Sequence, residues 1–295
     1  MNLSQFGMDT ITLAGGLEAK LEASRSAGFT QIMLWAKDLV NHPGGLESAA
    51  QLVRASGIRV TGIQVMRDYE GLSGTLHDYK VDMAKSMLQI CRAVGSPLLM
   101  VCSSTSKHAS GDLKKIASDL ARLANLAVPL KVRVGFEALS WGRNVSECRD
   151  AWEAVALADH ANLGVVIDSY HMLANRSSLE VVDQIPWHKI AMVQLSDFMW
   201  REIRSPEERV ETARHMRVFP GEGEHSRELS DLVRRLHRGG YRGDYSFEVF
   251  NDDYLQMPPA MVAQRAHRSA RWLADQVLRR GAPVHEAQPE DTMST

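Results

Sequence analysis

Short apolar runs rich in β-branched residues alternate along this chain with stretches whose apolar positions recur every three or four residues. The first kind predicts buried strands over residues 5–12, 29–36, 58–66, 98–102, 132–140, 164–171, 189–197 and 244–250. The second kind predicts helices between them, over 17–27, 46–56, 79–94, 113–126, 146–158, 179–184 (the weakest), 227–237 and 260–278. Gly28, Gly57 and Gly95 close the first three helices, and Ser146 is the expected N-cap of the fifth. Eight strand–helix pairs in about 280 residues point to a (β/α)8 TIM barrel. A doubly wound nucleotide-binding sheet would carry a glycine-rich turn after its first strand. Ala14-Gly15-Gly16 lacks that G-x-G-x-x-G spacing.

One connection is too long for a simple link. Residues 198–224 follow the seventh strand and end in Arg214-His215-Met216-Arg217-Val218-Phe219-Pro220-Gly221, which is too aromatic, apolar and basic for a linker. The expectation is an ordered lid over the barrel mouth. The reading places a single barrel domain over 1–280 and a polar, proline-containing tail over 281–295 that is expected to be disordered.

Composition narrows the class. With 295 residues, 34 basic and 36 acidic side chains, the formal charge is -2, and no like-charge run suits a nucleic acid or an anionic membrane. Cys91, Cys102 and Cys148 have no metal-binding or paired spacing and read as reduced thiols. The N-terminus has no secretory pattern, and no apolar run reaches the roughly 18 residues of a membrane span. A soluble, cytoplasmic protein is expected; the oligomeric state stays open, a homo-oligomer included.

The chemistry lies at four strand ends. Gly164-Val165-Val166-Ile167-Asp168-Ser169-Tyr170-His171 is a buried run that ends in polar groups, and Glu137, Gln194 and Glu248 end three other runs in the same way. In a barrel such ends converge on one face. Three carboxylates at close range repel unless they are neutralised, and a divalent cation does so directly. The competing reading pairs each acid with a nearby Arg or Lys. An all-oxygen donor set suits Mg2+ or Mn2+, with Co2+ a further option, rather than Zn2+.

His171, three residues beyond Asp168, is open to three readings: a fifth ligand, a core histidine, or a general acid/base. Arg67, directly after an apolar strand, and Arg217, within the lid, are candidate readers of a substrate carboxylate or phosphate. Pairing with Asp68, Glu70 or Glu222 is their structural alternative.

Several segments occur in an informative order: Met66-Arg67-Asp68-Tyr69-Glu70-Gly71, Pro97-Leu98-Leu99-Met100-Val101-Cys102-Ser103, Phe136-Glu137-Ala138-Leu139-Ser140-Trp141-Gly142-Arg143, Ile167-Asp168-Ser169-Tyr170-His171, the Arg214–Gly221 stretch and Phe247-Glu248-Val249-Phe250-Asn251-Asp252. Together they resemble the bacterial metal-dependent 3-dehydroshikimate dehydratases of the xylose-isomerase-like superfamily, over about residues 29–272. The resemblance implies that Glu137, Asp168, Gln194 and Glu248 bind one metal ion and that Arg67, His171 and Arg217 contact substrate. It also implies dehydration of a hydroxy-ketone that carries a carboxylate, 3-dehydroshikimate giving protocatechuate, with His171 transferring protons. A metal-dependent sugar or sugar-phosphate isomerase or epimerase is the alternative, because both reactions begin by removing a proton beside a carbonyl.

Three departures from the family pattern concern the substrate wall. Met33 and Ala36 stand near positions where acids are expected, Ala213 stands where a serine is expected, and Leu195-Ser196-Asp197-Phe198-Met199-Trp200 replaces a smaller sequence. Some family members carry a further dioxygenase-like domain after the barrel, and this chain is expected to end before one.

Overall fold

The computed structural model describes residues 3–275. Eight parallel strands close into a barrel: β1 (Phe6–Asp9), β2 (Gln31–Trp35), β3 (Arg59–Arg67), β4 (Leu98–Cys102), β5 (Arg133–Glu137), β6 (Leu163–Asp168), β7 (Ile190–Leu195) and β10 (Tyr245–Phe247). Closure pairs β10 with both β1 and β7. Two further short strands, β8 (Asp197–Phe198) and β9 (Arg217–Val218), form an antiparallel ribbon. Among the described residues ten α-helices accompany them: α1 (Leu17–Ser26), α2 (Ala36–Val40), α3 (Gly45–Ala55), α4 (Gly74–Val94), α5 (Leu113–Ala127), α6 (Cys148–Ala158), α7 (Ser169–Ala174), α8 (Pro206–His215), α9 (Ser226–Arg238) and α10 (Pro259–Trp272).

The two-residue period of a strand sorts the core into two layers. Leu99, Val101, Val134, Phe136, Val165, Ile167, Val193, Leu195 and Phe247 join the main apolar cluster shared with the helices. Met33, Leu98, Met100, Cys102, Val166 and Met192 form a second cluster. The latter residues alternate with the former along β4, β6 and β7, so they fill the barrel interior. Space there is tight: a Cβ on Gly135 would lie 2.7 Å from a Val166 methyl. Glu137, Asp168, Gln194 and Glu248 continue this inward set at its upper edge. The long apolar runs of the sequence are thus strands buried on both faces.

Several boundaries differ from expectation. α4 starts at Gly74, five residues before the periodic pattern becomes clear, and ends as expected at Gly95 in the left-handed conformation (φ 70°). The cap of α6 is Glu147, in a reciprocal box with Asp150, while the Ser146 backbone N–H donates to the Asp150 carboxylate. Residues Leu179–Gln184 form a 3-10 helix rather than an α-helix. The 198–224 connection is ordered around α8, and the β8–β9 ribbon carries it over the mouth. Among the described residues no helix is long and apolar enough to cross a membrane. The tail expected over 281–295 lies outside the described residues.

Candidate active site at the barrel mouth

The C-terminal ends of β5, β6, β7 and β10 meet at the mouth. Cys102 and Glu137 are register partners across β4 and β5, as are Asp168 and Gln194 across β6 and β7. Register partners project to the same side, so all four side chains face inward. Glu137, Asp168, Gln194 and Glu248 are each at least 96% buried.

Local structure turns His171 onto the same point. Asp168 caps α7 by accepting from the Tyr170 N–H at 2.7 Å. One helical turn later His171 lies on the same face as Asp168, its Nε2 3.6 Å from Asp168 Oδ2. Glu137, Asp168 and His171 each offer a ligand atom, all within 4.8 Å of one another. The His171 ring is oriented from the other side: Nδ1 accepts from the Ser140 backbone N–H at 3.1 Å and lies 3.2 Å from its hydroxyl. A neutral ring held in this way carries its proton on Nε2. Burial holds its pKa down to about 3, with Asp168 opposing the shift, so the ring is neutral across the physiological range.

Arg217 is the counter-charge. Its Nη1 donates to Asp168 Oδ2 at 2.8 Å and to Glu248 Oε2 at 3.0 Å, and its Nε donates to the Ala213 carbonyl at 2.9 Å. The guanidinium stacks over the Tyr170 ring, 4.3 Å from its centroid. Burial would lower its pKa, and the two carboxylates more than reverse that. Arg217 therefore pairs with two of the candidate ligands themselves, not with Glu222. Glu222 instead binds Arg265 and Tyr254.

One positive group does not neutralise three acids. Burial, then Asp168 and Glu248, push the Glu137 carboxyl well above the usual range. Burial raises Glu248 to about 7 even with Arg217 beside it. Two oxygens are left over: Glu137 Oε1 and Gln194 Oε1 are buried without a hydrogen-bond partner. Glu137 Oε2 accepts from the Cys102 thiol at 2.9 Å, and Gln194 Nε2 lies 3.9 Å from Met33 Sδ. Orphaned acceptors beside crowded carboxylates fit a bound cation, which removes both penalties together.

A cavity of about 240 Å3 opens onto this cluster, lined by Glu137, His171, Arg217 and Glu248 and walled by Leu139, Trp141 and Phe250. Arg67 ends β3 at its rim and is exposed, and neither it nor its neighbour across the rim, Arg214, forms a salt bridge among the described residues. A larger groove of about 720 Å3 lies beyond Phe250, lined by Gly15, Trp35 and Lys37 among others. It holds none of the unpartnered buried polar atoms, so the chemistry belongs to the smaller space.

Sequence reasoning missed Gln64, Cys102, Trp141 and Arg214, which line the cavity. Cys102 could have been found by the same signal as Glu137, a polar residue ending an apolar strand. Trp141 and Arg214 sit on loops, and their sequence carries no pattern that reveals where they point.

Parallel strands closed into a ring of eight, with polar groups gathered at their C-terminal ends, define a TIM-barrel protein of the enzyme-like architecture. The chain belongs to the xylose isomerase-like TIM barrel family, whose model matches residues 21–276. It is 33% identical over 274 residues to a 3-dehydroshikimate dehydratase of Pseudomonas putida, covering 92% of this chain and 42% of that protein. An inosose isomerase of Bacillus subtilis is 24% identical, covering 65% of this chain and 68% of that protein. A solved xylose isomerase-like TIM barrel/4-hydroxyphenylpyruvate dioxygenase fusion protein superposes with a TM-score of 0.88 at 33% identity, over 94% of this chain and 44% of that one. The chain thus spans about two-fifths of the length of that dehydratase and of its Pseudomonas aeruginosa counterpart.

Proposed function

We propose that this barrel is a divalent-metal-dependent hydro-lyase that dehydrates a cyclic hydroxy-ketone acid, with 3-dehydroshikimate as substrate and protocatechuate as product. The observation that carries the metal reading is the pair of unpartnered buried oxygens, Glu137 Oε1 and Gln194 Oε1, beside the Asp168 and Glu248 carboxylates. The 33% identity to a named dehydratase over 92% of this chain supports the choice of reaction. Glu137, Asp168, Gln194 and Glu248 would hold the ion, and their oxygen donors favour Mg2+ or Mn2+, with Co2+ next. Such an ion supplies Lewis-acid polarisation of a substrate carbonyl.

The protein's own residues do the rest. The cavity is of a size for one six-membered ring, and Trp141 and Phe250 wall it against water. His171 exchanges a proton with the substrate at Nε2, because Nδ1 is held by Ser140. With the ring proton moved to Nδ1, toward the Ser140 hydroxyl, Nε2 takes the proton from the carbon beside the carbonyl, and the imidazolium so formed returns it to the hydroxyl that leaves as water. Arg217, fixed by Asp168 and Glu248, faces the cavity from below, and Arg67 at the rim offers a charge-assisted contact to a substrate carboxylate.

The test is an ultraviolet assay of the purified chain with 3-dehydroshikimate and Mg2+ or Mn2+. The expected result is growth of an aromatic absorption that stops when the metal is chelated. Absence of aromatic product, with interconversion of an inosose or a ketose under the same conditions, would replace the lyase by an isomerase.

A further inference from the structure

All three cysteines are free, buried thiols, as the sequence predicts, and Cys91 and Cys148 lie on helices α4 and α6. Cys102 is different. It ends β4 in register with Glu137, faces the barrel interior with Met100 and Met192, and lines the same 240 Å3 cavity. Its Sγ lies 2.9 Å from Glu137 Oε2, the only hydrogen-bond partner of that carboxylate among the described residues. The other oxygen, Oε1, is buried and unpartnered, and the residue is 98% buried.

A carboxylate on a three-bond side chain can rotate, and both of its oxygens can then compete for one cation or turn away from it. A donor on one oxygen removes that freedom. We propose that Cys102 is the positioning residue of Glu137: its S–H occupies Oε2 and leaves Oε1 as the single oxygen presented to the metal. The inference rests on the metal reading given above. A thiol offers one S–H donor and is compact enough for the packed barrel interior. Its direction is set by strand register, with no freedom beyond one torsion. Hydrogen-bonded supports of this kind typically contribute about 10- to 100-fold in metal affinity.

The experiment is titration of the metal-free chain with Mn2+, read by the loss of the free-ion electron paramagnetic resonance signal, in the parent and in Cys102→Ser, Cys102→Ala and Cys102→Val. Serine keeps a donor and should bind within a few-fold of the parent. Alanine and valine lack one and should each bind about 10- to 100-fold more weakly. Valine keeps the volume, so a loss shared by both cannot be blamed on a cavity. A second readout is the S–H stretching band of Cys102, isolated as the parent-minus-Cys102→Ser infrared difference, which should move when Glu137 is changed to Gln. If the parent binds Mn2+ and the alanine and valine variants bind it equally well, Cys102 is a core residue and the proposal falls while the metal reading stands. If the parent itself binds no Mn2+, the metal reading falls and takes the proposal with it.

Discussion

Asp9 and Glu137 end strands on opposite sides of the barrel mouth, both fully or almost fully buried, and the protein treats their oxygens in opposite ways. Asp9 Oδ1 accepts from the Ile11 N–H at 3.0 Å, and Oδ2 accepts from the Gln64 side-chain amide. Both of its oxygens are used to hold the β1 loop and to tie β1 to β3. Glu137 has one thiol contact and one oxygen with none. Burial raises the pKa of both acids well above the usual range, so a perturbed carboxyl alone does not separate them. The separating observable is satisfaction. A buried polar group with all its partners stabilises the fold, whereas one kept without a partner is destabilising and persists where a ligand completes it.

The contrast makes its largest prediction for these two residues. Glu137→Ala should abolish Mn2+ binding and lower kcat by about a thousandfold or more, the equivalent of several kcal/mol of transition-state stabilisation. Thermal stability of the metal-free chain should not fall, because a crowded, unpaired acid has been removed. Asp9→Ala should do the reverse: about 1–3 kcal/mol less stable in urea unfolding, with Mn2+ affinity retained. If Asp9→Ala removes metal binding and Glu137→Ala only destabilises, satisfaction is the wrong criterion at this mouth.

His171 carries the same contrast within one ring, with Nδ1 engaged by Ser140 and Nε2 facing Asp168 and the cavity. His171→Asn should lower kcat by about 10²–10⁴-fold with Mn2+ affinity nearly constant, since asparagine can still accept from Ser140. Weakened metal binding in step with the lost rate would instead make the ring a ligand or a support for one.

The two arginines differ in the same way. Arg217 is satisfied by two carboxylates, so Arg217→Met should cost the metal-free chain about 3–5 kcal/mol by leaving both acids buried without their counter-charge. Arg67 is exposed and in no salt bridge among the described residues, and Arg67→Met should leave stability within about 0.5 kcal/mol of the parent. Its expected signature is KM raised by about 10- to 100-fold, the loss of one charge-assisted contact at a cavity rim. Equal melting temperatures for the two variants would show that the Arg217 pairings contribute nothing to the fold.

Much of this architecture is legible one residue at a time. The continuous apolar runs of Leu98–Cys102 and the stretch to Asp168 announce strands buried on both faces, and Gly95 announces the end of α4. The placement of Glu137, Asp168, Gln194 and Glu248 at strand ends follows from the same pattern. These features depend on neighbours in sequence, through side-chain period and backbone conformation, and are present before any tertiary contact forms. The start of α4 and the weak turn at Leu179–Gln184 were not legible, because packing rather than local pattern decides where a helix begins and whether it tightens.

What only the tertiary structure decided is which polar groups are left unsatisfied. In sequence Asp9 and Glu137 are alike, each an acid closing an apolar strand, and Arg67 and Arg217 are alike, each a basic residue beside apolar ones. Cross-strand register brings Cys102 to Glu137 and Asp168 to Gln194, and a side-chain bond reaching past β2 joins Gln64 to Asp9, over separations of 26 to 55 residues. The β8–β9 ribbon lowers Arg217 between Asp168 and Glu248. A hydrogen bond exists only when donor and acceptor arrive within about 3 Å at a usable angle, and closing the barrel is what sets those distances.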